Sequence, residues 1–321
     1  MNGVRYVIER FITTIPVLFF LSIMVFSFIH LIPGNPAEIL LGQDATPQAI
    51  HALDAQMGLD KPLLMQYLTW LLNVLRGDLG TSLVDHEPVS QLILQRLPVT
   101  VELAFGTMIV AILIAFPLGV AAAVMRGRVA DFVAMFAATV GISVPPFWLG
   151  ILFLLLFTVK FHLVANSLYV PIWQDPLKNL ECMLLPCVAT GIREAAVLLR
   201  MLRSSLMDAL GEDFVRTAWA KGLKGAAVTL RHALPNALVP VLTAGGLQIA
   251  GLLGGLVITE QVFSLPGFGQ LLVQSVFSRD YTTVQGTALV AALIVIIVNL
   301  LIDLTYSRID PRIRTDGRME A

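Results

Sequence analysis

The sequence predicts an all-α polytopic membrane protein with six transmembrane helices, and two observations carry that reading. Only 13% of the 321 residues are charged while 57% are hydrophobic, against roughly 25% charged in an average soluble domain. The charges are also clustered: the intervals 11–37, 103–125, 132–159, 232–259 and 281–302 contain no Asp, Glu, Lys or Arg. Each exceeds the roughly 18 apolar residues that mark a membrane-span candidate.

The elements follow in chain order. A short segment, 1–10, leads into a first span at 11–31. That span is longer than the core of a cleavable signal and no small-residue cleavage site is evident after it, so it is expected to remain as an anchor. The stretch 32–97 reads as a small helical subdomain outside the membrane. Thr46 before Pro47 is an N-cap and first-turn pair, and Ile50, Leu53 and Met57 share a face before Gly58 stops the helix. After Pro62, the stripe Leu63, Tyr67, Trp70, Leu71 and Val74 ends at Gly77, which suits packing against a neighbour or the membrane interface, or contact with a ligand.

Residues 98–306 hold the other five spans. The third contains Pro145 and Pro146, which remove backbone donors and imply a kink or unwound stretch. The fourth, 182–199, is apolar but carries Arg193 and Glu194. Charge at a span centre costs roughly 2.5–3.5 kcal/mol, which places the two in an aqueous or protein-facing position. Neighbours on a helix point about 100° apart, so this pair is not expected to satisfy itself. Two readings stay open: an interhelical salt bridge or snorkelling arginine, or a pathway site where Arg193 meets a substrate carboxylate. The charge-free stretch 261–278 holds Ser264, Pro266, Gly267 and Gly269, and reads as a turn and a short interfacial helix. Glu102, Glu260 and Asp303 lie near span ends, where interface solvation is expected. Residues 307–321 form a tail.

With an even number of spans the termini share a side. Placing them in the cytoplasm puts 14 of the 21 Lys and Arg residues there and six outside, with Arg193 in a span. The positive-inside rule therefore predicts that both termini of this multi-pass chain lie in the cytoplasm. Six of those cations, Arg200, Arg203, Arg216, Lys221, Lys224 and Arg231, belong to the stretch leading into and through 203–235. There Glu212 and Asp213 open a helix, Lys221 sits in its last turn and Gly222 is a left-handed stop. A second short helix is expected from about Gly225 to Pro235. Such a loop serves as a topology signal or as a docking element.

Several classes lack support. A net charge of −1 suggests no nucleic-acid partner. Cys182 and Cys187, five residues apart, read as buried small hydrophobes rather than a disulfide or metal pair. His30, His51, His86, His162 and His232 include no pair at metal-ligand spacing, and no nucleophile–base motif occurs. No catalytic residue, metal site or bound cofactor is therefore expected. No Gly-x4-Gly-Lys-Ser/Thr phosphate loop is present either.

The residues RTAWAKGLKGAAVTLRHALP at 216–235 resemble the cytoplasmic loop of ABC importer permeases. That pattern is Glu-Ala-Ala, three residues, Gly, nine residues, Ile, one residue, Leu-Pro. Ala218, Gly222, Leu234 and Pro235 fall at the matching spacing, while Arg216, Thr217 and His232 depart from it. Arg-Thr-Ala followed by Ala-Lys-Gly-Leu is similar to the dipeptide, oligopeptide and nickel branch. Further stretches support that branch over nearly the whole chain, among them GLDKPLLMQYLTWLLNVLRGDLGTS, ISVPPFWLGI, ITEQVFSLPGFGQ and DPRIR.

The resemblance implies a type I ABC importer permease, the first permease of a two-permease system. Its implied partners are a sister permease, two cytoplasmic ATPase subunits that carry ATP and Mg, an extracytoplasmic binding protein and membrane lipid. It implies an ATPase-coupling loop at Arg216, Thr217, Ala218, Lys221, Gly222, Leu234 and Pro235. Pathway or gate candidates are Arg193, Glu194, Glu260, Pro266 and Gly267. Peptides are the implied substrates, with glutathione, opines and nickel chelates as alternatives in the branch. The rival readings are an ion-gradient-driven carrier or channel, which needs intramembrane ion ligands or inverted repeats, and an intramembrane enzyme, which needs a catalytic constellation.

Overall fold

The computed structural model describes residues 3–31, 38, 41, 46–160 and 169–309. Most of 32–45, His162 and the tail residues Arg312, Arg314 and Arg318 lie outside the described residues. Among the described residues the architecture is helical, with one isolated bridge between Thr81 and Pro88. The chain divides into two compact units, one built on 99–266 and 297–321, the other on 2–98 and 267–296.

The first unit is organised around α7 (Pro176–Gly211), for which the earlier helices are α4 (Val89–Val124), α5 (Val129–Ser143) and α6 (Pro146–Leu154, running on as a π turn Leu155–Lys160). Asp175 caps α7 by accepting from the N–H groups of Leu177 and Lys178, and Pro176 occupies the first turn. Those amide bonds, led by Lys178, hold the Asp175 carboxyl below its usual range. At 36 residues, α7 is about 54 Å long, so it outruns the 182–199 interval at both ends. Arg193 and Glu194 fall at its middle.

Small residues let other helices approach α7 closely, as membrane packing requires in the absence of a hydrophobic drive between helices. A Cβ on Gly106 would lie 2.6 Å from Cys187 Sγ, and one on Gly191 would lie 2.9 Å from Val110 Cγ1. On the α5 side, a Cβ on Gly141 would lie 3.1 Å from that of Ala196. Cys182 and Cys187 are buried thiols without a disulfide.

The third span is broken by an unwound stretch, one of the two forms its prolines implied. Its halves α5 and α6 meet at 94°, because two consecutive prolines each bar the preceding residue from the α region. Val144 and Pro145 are accordingly extended, at ψ 124° and 133°. The fifth span departs from expectation. Helix α9 (Gly225–Gly254) is continuous, so no separate helix stops before Pro235. A π turn at Val228–Ala233 widens the backbone where the proline ring would collide with the carbonyl four residues back and where its missing N–H breaks the ladder. Between α7 and α9 lies α8 (Asp213–Ala220), and α10 (Val257–Val262) follows α9.

The second unit contains α1 (Gly3–Leu31), α2 (Pro47–Met57), α3 (Leu63–Leu75), α11 (Phe268–Phe277) and the start of α12 (Tyr281–Ile309). The expected caps form: Thr46 Oγ1 accepts from Ala49 N, and Gly58 and Gly77 take φ of 70° and 84°. The Tyr67 and Trp70 part of the stripe packs on α1, where Ser22 and Tyr67 hydroxyls bond at 2.8 Å and Phe26 meets both rings. Buried Asp280 accepts from the hydroxyls of Ser82 and Thr283 and caps α12. Helix α4 begins at Val89, inside the stretch 32–97 that composition assigned to the outer subdomain.

Helices α4, α7, α9 and the Tyr281–Ile302 part of α12 are long and apolar enough to cross a membrane, and the α5–α6 pair is a broken fifth span or a re-entrant loop. A count of six requires that α1, with its apolar Ile12–Ser27, crosses as well.

Candidate functional site

The first candidate region is α8. Glu212 is its N-cap residue, Asp213 sits in the first turn, Lys221 is the C-cap residue, and Gly222 follows at φ 76°. A left-handed residue there lets the chain reverse at once, and glycine adopts it without penalty. One narrow stripe anchors the helix. Val215 and Ala218 are buried in a cluster with Ala123, Leu206, Val228 and Ala233, and Leu234 packs against it. Ala218 and Leu234 thus face this chain's own core, so the small size of Ala218 serves internal packing. Arg216, Thr217, Lys221, Gly222 and Pro235 are exposed. Arg216 pairs with Asp213 at 3.1 Å in the open, a contact that water screens.

Two residues of this surface escaped sequence reading. Phe214 and Trp219 are 42% and 52% exposed on α8, although large aromatics are costly to leave in water. Their presence in a cationic segment between apolar runs was the available signal, since exposed aromatics flanked by charge are typical binding anchors.

The second region lies within the spans. A cavity of about 410 Å³ is lined by Pro146, Thr190, Arg193, Glu194, Gln248 and Thr259, among others. Contrary to the sequence expectation, Arg193 and Glu194 do approach each other, with Nη1 3.7 Å from Oε1. Their stems diverge, but both side chains are long enough to converge at their tips. The separation is too great for a hydrogen bond. Arg193 is 52% exposed and Glu194 11%. Gln248, unmarked in the sequence, donates from Nε2 to the Glu194 carbonyl at 3.2 Å, while its Oε1 is buried without a donor among the described residues.

Glu260 differs from its expected interfacial solvation. It is fully buried in α10, where Thr100 Oγ1 donates to Oε1 at 2.5 Å. Beside it, the Thr190 and Thr259 hydroxyls meet at 3.1 Å, fastening α10 to α7. The Leu265 N–H closes the following turn on the Glu260 carbonyl, with Ser264 at φ 53°. Pro266 is half-buried, and Gly267 is the N-cap residue of α11. Glu102 is likewise shielded and accepts from Tyr169 at 2.7 Å. Burial, with that hydrogen bond, raises the Tyr169 phenol above its usual range. The Asp303 side chain lies outside the described residues.

The sequence also concealed a part-buried ion pair. Arg203, counted above as a loop cation, donates from Nε and Nη2 to the two carboxylate oxygens of Asp131 at 2.5 and 2.9 Å.

Capped helix, broken span and charged cavity occur along a chain that matches two family models. Residues 115–315 match the binding-protein-dependent transport system inner membrane component, and residues 3–104 match the N-terminal membrane component of the same systems. The chain belongs to this family. It is a multi-pass transmembrane permease of an ABC importer. The chain is 42% identical over 310 residues to a glutathione transport system permease protein of Salmonella choleraesuis, covering 97% of this chain and 99% of that one. A putative peptide transport system permease protein of Brucella abortus is 39% identical over the same extents. The glutathione transport system permease of Salmonella typhimurium is 41% identical, again over 97% and 99%.

Proposed function

We propose that this permease forms half of a six-plus-six-helix pathway for peptides or glutathione-like solutes, with both termini in the cytoplasm. A sister permease supplies the other half. An extracytoplasmic binding protein delivers solute, and two ATPase subunits hold ATP and Mg. The chain itself binds no cofactor and catalyses no reaction. The names of the glutathione and peptide transport relatives support the substrate class, and the lysine and arginine distribution supports the orientation.

The observation that carries this reading is the architecture of α8. One stripe, Val215 and Ala218, roots the helix in the core, and its remaining residues are exposed. A rigid helix held on one side and free on the others transmits a push. Arg216, Thr217, Lys221 and Gly222, with Phe214 and Trp219, are the contact surface for the ATPase, while Ala218 ties that surface to the cluster on which Leu234 of α9 packs, with Pro235 following it in the coupling segment. ATP binding draws the ATPases together, moves α8 and opens the cavity outward; hydrolysis resets it. Glu260, Pro266 and Gly267 serve as the outer gate, and Arg193 and Glu194 line the path.

Uptake by the reconstituted complex tests the proposal. Solute accumulation is expected only with ATP and the ATPase subunits present. Accumulation driven by a proton or sodium gradient, with the ATPases absent, would establish the carrier reading instead.

A further inference from the structure

The cavity at Arg193 has hydrogen-bonding capacity that the protein does not use. A guanidinium offers five donors, yet Arg193 makes no side-chain hydrogen bond among the described residues and meets Glu194 only at 3.7 Å. A charge-assisted contact normally closes to roughly 2.7–2.9 Å. The Glu194 carboxylate, too, accepts no hydrogen bond there, although it is only 11% exposed. Gln248 Oε1 is a shielded acceptor without a donor. Its amide is oriented by the Nε2 bond to the Glu194 carbonyl, which turns Oε1 away from that carbonyl.

These three groups divide into one cationic donor and two acceptors, set around a space of about 410 Å³. Buried polar groups without partners are costly. Glu194, the shielded member of the ion pair, is costly as well, since the 3.7 Å contact with the exposed Arg193 repays its desolvation incompletely. Both costs fall when a ligand supplies the missing partners. The partner that complements a free guanidinium is a carboxylate. The partner that complements a carboxylate and an amide oxygen is an ammonium or a strong N–H donor. Thr190 and Thr259, also on the lining, bond to each other and leave the charged groups as the determinants.

We infer that this cavity is a solute-recognition site within the permease, selective for zwitterions, in which Arg193 receives a carboxylate while Glu194 and Gln248 receive an ammonium group. The inference rests on the permease reading above and adds to it that selectivity resides partly in this chain and that Gln248 is a specificity-determining residue.

The test uses the full reconstituted complex with its binding protein and three probes: alanyl-alanine, its C-terminal amide and its N-acetyl derivative. Binding-protein affinities for each are measured separately, so that uptake is compared at equal occupancy. The wild type is expected to favour the zwitterion over both blocked forms. Arg193→Gln is expected to lower uptake of alanyl-alanine about tenfold or more, with uptake of the amide unchanged. Arg193→Lys is expected to restore part of the loss. Gln248→Leu and Glu194→Gln are expected to reduce discrimination against the N-acetyl form, with discrimination against the amide retained. Equal losses for all three probes, or no loss for any, would overturn the inference while leaving the permease reading intact. ATP-independent uptake by the wild type would instead overturn the permease reading, and this inference with it.

Discussion

Arg203 and Asp131, 72 positions apart, form a two-pronged ion pair that locks the start of α5 to α7. The Gly127 N–H adds a third hydrogen bond to the same carboxylate at 2.9 Å, so the turn before α5 is fixed as well. Guanidinium geometry permits this, because its rigid fork matches both carboxylate oxygens at once. Removing one partner strands the other in a shielded site. Arg203→Ala or Asp131→Ala is expected to destabilise the protein by on the order of 2–3 kcal/mol, seen as a lower midpoint in thermal unfolding of the purified complex. The double variant Asp131→Leu with Arg203→Met should recover much of that loss, since no charge is then left unpaired.

Gly222 separates backbone from surface effects. A Cβ there meets nothing within 4 Å, but φ is 76°. An ordinary L-residue in that conformation costs about 1–2 kcal/mol, which Asn largely avoids. Gly222→Asn should therefore fold and assemble nearly normally. Gly222→Trp should leave ATP hydrolysis running while uptake falls, because the added bulk lies on the transmitting surface. The ratio of solute transported to ATP consumed reads the difference, and full coupling in the Trp variant would argue against α8 as the contact.

Phe214→Ala and Trp219→Ala are expected to weaken ATPase association about tenfold or more, as loss of an aromatic anchor does. Titrating the ATPase subunits onto the permease pair measures this. Trp219 also covers Gly225, whose added Cβ would lie 3.2 Å from the indole, so the unfolding midpoint of the Trp219 variant should be recorded alongside.

Gly191 tests helix packing. Its Cβ would sit 2.9 Å from Val110 Cγ1 and 3.1 Å from the Thr107 carbonyl oxygen, and the backbone of a long helix cannot yield readily. Gly191→Val should cost about 1–3 kcal/mol through overpacking. Gly211→Ala, on the same helix with open space around the new methyl, should be neutral or slightly stabilising. Thermal unfolding of the two variants compares them directly.

The Asp175 cap gives a pH dependence with a defined sign. Its folded carboxyl titrates below the ordinary carboxylate range because of the Lys178 and Leu177 amides. The stabilisation is therefore present above that ordinary range and is lost as pH falls through the depressed value. Asp175→Asn retains a cap oxygen but not the charge. Its unfolding midpoint should run below wild type near neutrality, and the two should converge in acid.

Much of the secondary structure was legible because its signals are local. Thr46, Gly58, Gly77, Glu212 and Gly222 act through the backbone of their own turn, and each stands where sequence placed it. Charge-free runs identify spans for a similar reason, since each residue meets the bilayer on its own account. Pro145 and Pro146 announced a break, but the angle of 94° depended on two consecutive residues being forced out of the helical region together.

The sequence by itself determined that this is a helical membrane protein, where the capping turns at Thr46, Gly58, Gly77 and Gly222 fall, and that a short capped helix interrupts the spans. Tertiary structure alone decided which charges are partners and which are exposed. It joined Arg203 to Asp131, enclosed Glu260 with Thr100, turned Ala218 inward and brought Gln248 beside Arg193 and Glu194. Those outcomes rest on contacts between residues distant in the chain. In a low-dielectric interior the cost of a charge depends on the groups that surround it rather than on its neighbours in sequence.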